Sequence, residues 1–142
     1  MPTFVTRERV AFTETDAAGI MHFSTAMRFF EIGEREALRG LGVRVGDARR
    51  GGQELPRLHV NCDYRQPLYY DDEIEIRTEC LKIGNSSVLW QFHIYRDEEL
   101  CIFGQMTVCT IDTVSRRPIR VPDSWREYLL APTEERQTVE GL

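Results

Sequence analysis

The sequence has no run of apolar residues approaching the roughly 18 that a membrane-spanning helix needs. Its first residues, Met1-Pro-Thr-Phe-Val-Thr-Arg-Glu-Arg, lack the basic segment and apolar run of a secretory signal. Cysteine is sparse: Cys62, Cys80, Cys101 and Cys109 form neither a Cys-x-x-Cys unit nor a Cys/His zinc spacing. They read as small apolar residues filling strands, and the expectation is a soluble cytoplasmic protein without a metal site. Excess positive charge is also lacking. The 18 Lys and Arg stand against 23 Asp and Glu, a net charge of −5, which excludes a general binder of nucleic acid or of anionic membrane. An anionic small ligand would need a local basic cluster. Internal repeats and low-complexity segments are missing too. What is present is a chain of 142 residues, 42% hydrophobic and 29% charged, the proportions of one globular domain. Residues 1–142 are read as that single domain, with a core over about 4–120 and a tail over about 121–142. Such a length buries about two thirds of its unfolded surface, enough for a core without metal or disulfide staples.

The hydrophobic period divides the chain. Phe4, Val5, Val10 and Phe12 predict a first strand, followed by a Thr-Glu-Thr-Asp-Ala-Ala-Gly loop. From Ser24 to about Leu41, the residues Met27, Phe30, Glu34, Ala37, Leu38 and Leu41 recur at three and four, the spacing of one helix face. Ser24 or Thr25 can cap this helix, and Gly40 or Gly42 can end it. Phe29 and Ile32 lie off the stripe, so the helix should be enclosed on more than one side. A Gly/Arg-rich loop from Gly42 to Pro56 follows. Beyond it the period becomes two: Leu58 to Tyr64, Ile74 to Cys80, Trp90 to Ile94 and Leu100 to Ile111 alternate with polar neighbours. Gly84-Asn85-Ser86 and Arg96-Asp97-Glu98-Glu99 read as hairpin turns between antiparallel strands. A short helical turn at Asp123 to Leu130 and a loose charged end complete the chain. The order is α+β: strand, long helix, then four antiparallel strands. A strongly curved antiparallel sheet wrapped around one long central helix covers that helix, and an edge strand can pair with a second subunit.

Thr15-Asp16-Ala17-Ala18-Gly19-Ile20-Met21-His22-Phe23-Ser24 carries the chemistry. A carboxylate stands in a loop before a largely apolar helix, and a glycine permits a tight turn. Unpaired N–H groups in the first helical turn point along the axis with the positive end of the dipole, where they can hold an oxyanion. Ile20, Met21 and Phe23 offer an apolar wall. On local physics alone, a cap or turn residue is the favoured reading of Asp16.

That segment, followed by Met27-Arg28-Phe29-Phe30-Glu31, resembles the signature of the hot-dog-fold acyl-CoA thioesterases of the 4-hydroxybenzoyl-CoA thioesterase family. Val60 to Glu73 is similar to the family's second strand and the turn after it, and Lys82-Ile83-Gly84-Asn85-Ser86-Ser87 resembles its central hairpin. The likeness spans about residues 4 to 120. It implies the hot-dog fold and hydrolysis of an acyl-CoA to free acid and coenzyme A. Asp16 would then be nucleophile or general base, the Phe23 N–H the oxyanion donor, and Gly19 the residue permitting the approach. No metal or separate cofactor is implied, coenzyme A being part of the substrate.

His22, Ser24, Thr25, Phe29, Phe30, Lys82, Ser86 and Ser87 are the candidate substrate-binding residues, with Trp90 a further wall. Lys82, Arg57, Arg65, Arg116, Arg117 and Arg120 are candidate partners for the phosphates. The resemblance also implies a homodimer or homotetramer with sites where two sheets join, and acyl groups such as 4-hydroxybenzoyl or dihydroxynaphthoyl. The chain departs from the pattern at Thr25 and Ala26, where many members carry Asn and an aromatic residue. His22 stands one place before the histidine of others, and no cation occupies Gly84 to Ser87. Two other functions fit the same fold: a non-catalytic module that binds acyl thioesters, and a dehydratase, whose His-Phe-Pro context is absent at His22-Phe23-Ser24. A Cys/His hydrolase would need a cysteine at a helix start, and none occurs there.

Overall fold

The computed structural model describes residues 3–42 and 53–132. In chain order the elements are β1 (Thr3–Arg9), α1 (Thr25–Arg39), β2 (Gln53–Glu54), β3 (Arg57–Tyr64), β4 (Glu73–Ile83), β5 (Ser87–Arg96), β6 (Glu99–Cys109), β7 (Ile111–Asp112) and α2 (Asp123–Leu130). Most of the Gly/Arg-rich loop expected before β3, at 43–52, and the charged end at 133–142 lie outside the described residues.

Alternation builds the sheet. Ile74, Ile76, Thr78 and Cys80 of β4, Val88, Trp90, Phe92 and Ile94 of β5, and Ile102, Gly104, Met106 and Val108 of β6 are all buried on one face. Five antiparallel strands stand in the order β1-β4-β5-β6-β3. Irregular registers at Cys80/Lys82, Ile94/Tyr95 and Arg57/His59 bend the strands, as bulges do. The β5–β6 turn is made by Asp97 and Glu98, both with positive φ (49° and 66°), the pairing that matches strand twist in a two-residue hairpin.

α1 lies on the buried face of the sheet. Ala26, Phe29, Phe30, Gly33, Ala37 and Leu38 are enclosed, and the Phe30 ring stacks on Phe92 at 4.4 Å with 7° between planes. Each large side chain so buried contributes roughly 1.5–3 kcal/mol. Phe29 and Ile32 are buried, as a helix enclosed on more than one side requires, whereas Met27 is 37% exposed and lies off the buried face. The residue after Ser24 starts the helix, yet the Ser24 hydroxyl caps no amide and bonds His22 Nδ1 (2.8 Å). Gly42, at φ +73°, closes the far end through its N–H to Arg39 O.

Two boundaries differ from the sequence reading. β1 ends at Arg9, and beyond it Val10 is still held to the segment ahead of β4, its N–H bonding Asp72 O and its carbonyl accepting from the Asp71 N–H, where Asp71 has φ 65°. Phe12 begins a 3-10 turn, 72% exposed, with its ring edge-on to Tyr70. The tail also packs: α2 buries Trp125, Tyr128 and Leu129, and Arg126 donates to the carbonyls of Ile83, Gly84 and Asn85 at the β4–β5 turn. Among the described residues no helix is long and apolar enough to cross a membrane.

Candidate active site

The Asp16 loop is a small hairpin. The Thr15–Met21 bridge and the Asp16 N–H to Ile20 O bond (2.8 Å) bring its two sides together. The Gly19 N–H closes the turn on Asp16 O (3.0 Å). Gly19 has φ +81°, and a Cβ there would meet nothing within 4 Å. Backbone conformation, not space, is what asks for glycine. The outer side of the hairpin is fixed by the Ile20–Tyr69 bridge and by the Met21 N–H to Leu68 O (2.7 Å).

Within this frame the Asp16 side chain is exposed. Its Oδ1 accepts from the N–H of Ala18 (2.8 Å) and of Ile20 (3.3 Å), an arrangement that orients the carboxylate. Oδ2 has no partner among the described residues. One oxygen thus serves the turn, and the other faces no donor among the described residues.

Two residues beyond the hairpin, the Phe23 N–H has no acceptor among the described residues. It stands just ahead of a 15-residue helix, where a free donor and the helix dipole favour developing negative charge. The Phe23 carbonyl is occupied by the Tyr64 hydroxyl. The Phe23 ring is 69% exposed and stacks on His22 at 4.6 Å. A cleft of about 250 Å³ opens beside it, lined among others by Ile20, Met21, Phe23, Tyr64, Arg65 and Ile102. Of the six basic residues proposed for phosphate binding, only Arg65 lines this cleft. Arg57 pairs with Glu34, Arg116 with Glu54 and Arg120 with Asp123, while Lys82 and Arg117 are exposed away from it.

The remaining candidates separate into four groups. His22 and Ser24 are exposed at the helix start, where His22 Nδ1 accepts from the Ser24 N–H (3.2 Å) and so takes the capping role expected of a serine or threonine. Thr25 is buried and donates to Glu14 O (3.4 Å). Phe29, Phe30 and Trp90 are enclosed in the core and do not line the cleft. Lys82, Ser86 and Ser87 flank the β4–β5 turn, whereas the Asp16 hairpin is tied to residues 68 and 69, ahead of the other end of β4. Along an 11-residue strand that is roughly 30 Å, so within one chain the two groups do not meet.

The cysteines are free thiols. Burial pushes Cys80 up to about 12 and raises Cys62 and Cys101 as well, which removes them as ready nucleophiles. Sequence reasoning missed Tyr64, Glu14 and Arg28. The alternation placing Tyr64 on the same face of β3 as Cys62 was its available signal. Glu14 carried none beyond its place two residues before Asp16.

A curved antiparallel sheet packed on a central helix, with the acidic hairpin at the helix start, is the hot-dog fold. The chain belongs to the thioesterase-like superfamily, whose family model matches residues 10–129. It is 31% identical over 128 residues to a 1,4-dihydroxy-2-naphthoyl-CoA hydrolase of Synechococcus sp. (strain CC9605), the match covering 86% of each chain. Among solved structures, a hypothetical protein from Aquifex aeolicus superposes with a TM-score of 0.83 at 28% identity, covering 89% of this chain and 98% of that one. A 1,4-dihydroxy-2-naphthoyl-CoA thioesterase from Synechocystis gives 0.82 at 19% identity, covering 88% and 93%.

Proposed function

We propose that this thioester hydrolase cleaves an acyl-CoA to the free acid and coenzyme A, with Asp16 as nucleophile or general base and no cofactor of its own. The observation that carries the reading is the pairing of a fixed carboxylate bearing a free Oδ2 with an unpaired N–H at the start of α1. The thioester carbonyl oxygen accepts from the Phe23 N–H, and charge builds on it as the carbon is attacked. In one route Asp16 Oδ2 attacks, the C–S bond breaks, coenzyme A leaves as thiolate, and water cleaves the mixed anhydride. In the other, Asp16 takes a proton from water as that water attacks. A thiolate leaves readily, so neither route demands a strong general acid.

An aromatic acyl group, such as dihydroxynaphthoyl or 4-hydroxybenzoyl, suits a cleft walled by Ile20, Met21, Phe23 and Ile102. The name of the Synechococcus relative supports the same choice. The protein works as a homodimer, or as a homotetramer of such dimers, in a reducing cytoplasm that suits its four free thiols. β3 is one of the two edge strands, and on it Leu58 is 63% and Val60 42% exposed. Tyr64 marks the Asp16 end of β3 through its bond to Phe23. Arg57 marks the other end, since it pairs with Val108, which pairs with Val88 beside the β4–β5 turn. Antiparallel pairing of two β3 strands about a two-fold axis brings the turn of one copy, with Lys82, Ser86 and Ser87, toward the Asp16 end of the other. Release of free thiol from aromatic, short-chain and long-chain acyl-CoA esters tests the reading. Turnover with aromatic esters preferred supports it; tight binding of every ester without turnover overturns it.

A further inference from the structure

We infer that Glu14 and Arg28 are positioning residues that set the distance between the Asp16 carboxylate and the Phe23 N–H. The inference rests on the reading of those two groups given above. Glu14 is two residues before Asp16, and its side chain is only 10% exposed. Every acceptor it has is engaged. Oε1 accepts from the Ala11 N–H (2.7 Å), which closes the 3-10 turn leading into the Asp16 hairpin. Oε2 accepts from Arg28 Nη1 (2.8 Å), in the first turn of α1. Its main-chain oxygen accepts from the His22 N–H (2.7 Å) and from the Thr25 hydroxyl (3.4 Å), on either side of Phe23.

One residue therefore holds the entry to the hairpin, the segment leaving it and the first turn of the helix. Asp16 hangs from the first of these and the Phe23 N–H from the other two. The Asp16 hairpin makes no hydrogen bond of its own to α1 among the described residues, so displacement of Glu14 shifts the carboxylate relative to the donor. An ångström of misplacement is enough to cost on the order of a hundredfold in rate. A carboxylate placed here for solubility or general charge would be solvated, not enclosed and bonded through both of its oxygens. Arg28 is half-exposed and needs the carboxylate less than the carboxylate needs it, so loss of either partner should be felt mainly through Glu14.

Glu14→Gln keeps an acceptor for the Ala11 N–H and loses the charge that meets Arg28, and Arg28→Met removes the cation while keeping a long stem. Each should lower kcat about ten- to a hundredfold with KM changed less than threefold, and the double variant should be no worse than the poorer single one. Arg28→Lys should recover part of the loss. Amide exchange gives a readout that needs no activity: the His22 amide should exchange at least tenfold faster in both single variants, with β5 amides unaltered. Unchanged His22 protection, or full kcat in both variants, overturns the inference. Asp16→Asn is run alongside. If it retains full activity, the reading of the site fails, while the exchange result still decides whether Glu14 and Arg28 hold the segment.

Discussion

The Tyr64 hydroxyl donates to the main-chain carbonyl of Phe23, so the last residue of the edge strand β3 is tied to the turn that starts α1. Burial and the neighbouring Cys62 push this hydroxyl up to about 12, and it remains a donor throughout the working range of an enzyme. Its folded value lies above the ordinary tyrosine value. The contribution of the bond is therefore fully present below about pH 10 and is lost as pH rises through about 12. Tyr64→Phe removes only the hydroxyl. It should lower kcat on the order of tenfold by freeing the peptide next to the proposed oxyanion donor, with little change in melting temperature, since the side chain is half-exposed. Steady-state kinetics beside thermal unfolding checks both.

Glu34 is a wholly buried carboxylate on the central helix. Arg57 donates to its Oε1 at 2.6 Å, Oε2 has no donor, and the Trp90 indole lies near without reaching hydrogen-bond geometry. Desolvation raises its pKa above the usual carboxylate range, and Arg57 opposes this only in part. A raised folded value means that the stability from this group is fully present below the unfolded value, about 4.3, and declines as pH rises through the folded one. Glu34→Gln stays neutral and can still accept from Arg57. Relative to that variant, the wild-type melting temperature should fall as pH is raised from about 4 toward 7; a constant difference across this window would contradict the burial argument.

Close packing of α1 on the sheet sets a steric limit. A Cβ on Gly104 of β6 would lie 2.6 Å from Phe30 Cζ and 2.8 Å from Phe30 Cε2, and would also strike the Asn61 carbonyl. Phe30 cannot yield, because it is stacked on Phe92 and fully enclosed. Gly104→Ala should therefore destabilise the protein by about 1–3 kcal/mol, measured by denaturant unfolding. At Gly19, where a Cβ meets nothing, substitution should act through strain at positive φ and disturb the Asp16 hairpin, not the core.

Association through β3 predicts a different response. Val60→Lys places a charge on an exposed edge residue that a single chain tolerates and a paired edge does not. Light scattering should show a shift toward monomer, and activity should fall with it, because in the proposed dimer Lys82, Ser86 and Ser87 reach the Asp16 end only across subunits.

Much of this architecture was legible in the sequence because alternation and helical spacing are local signals. Ile74 to Cys80 and Trp90 to Ile94 reveal their buried face by period two, and Phe29 and Ile32 revealed a helix enclosed on more than one side. Boundaries were less legible where tertiary bonds enter: past the end of β1, Val10 is held by Asp71 and Asp72, residues some 60 positions away. The Asp16 hairpin could be recognised from its motif, but its supports could not. Tyr64, Glu14 and Arg28 act through pairings between distant segments that no spacing rule specifies. The separation of Lys82, Ser86 and Ser87 from Asp16 required the strand order itself.

The most direct test of Asp16 as the group that drives thioester cleavage is thiol release by wild type and Asp16→Asn on the preferred acyl-CoA. Asn keeps an oxygen to accept from the Ala18 and Ile20 amides, so the hairpin and the melting temperature should be preserved. A loss of at least about a hundredfold in kcat at unchanged stability is the predicted result. Retention of wild-type turnover by the folded Asp16→Asn protein would contradict it.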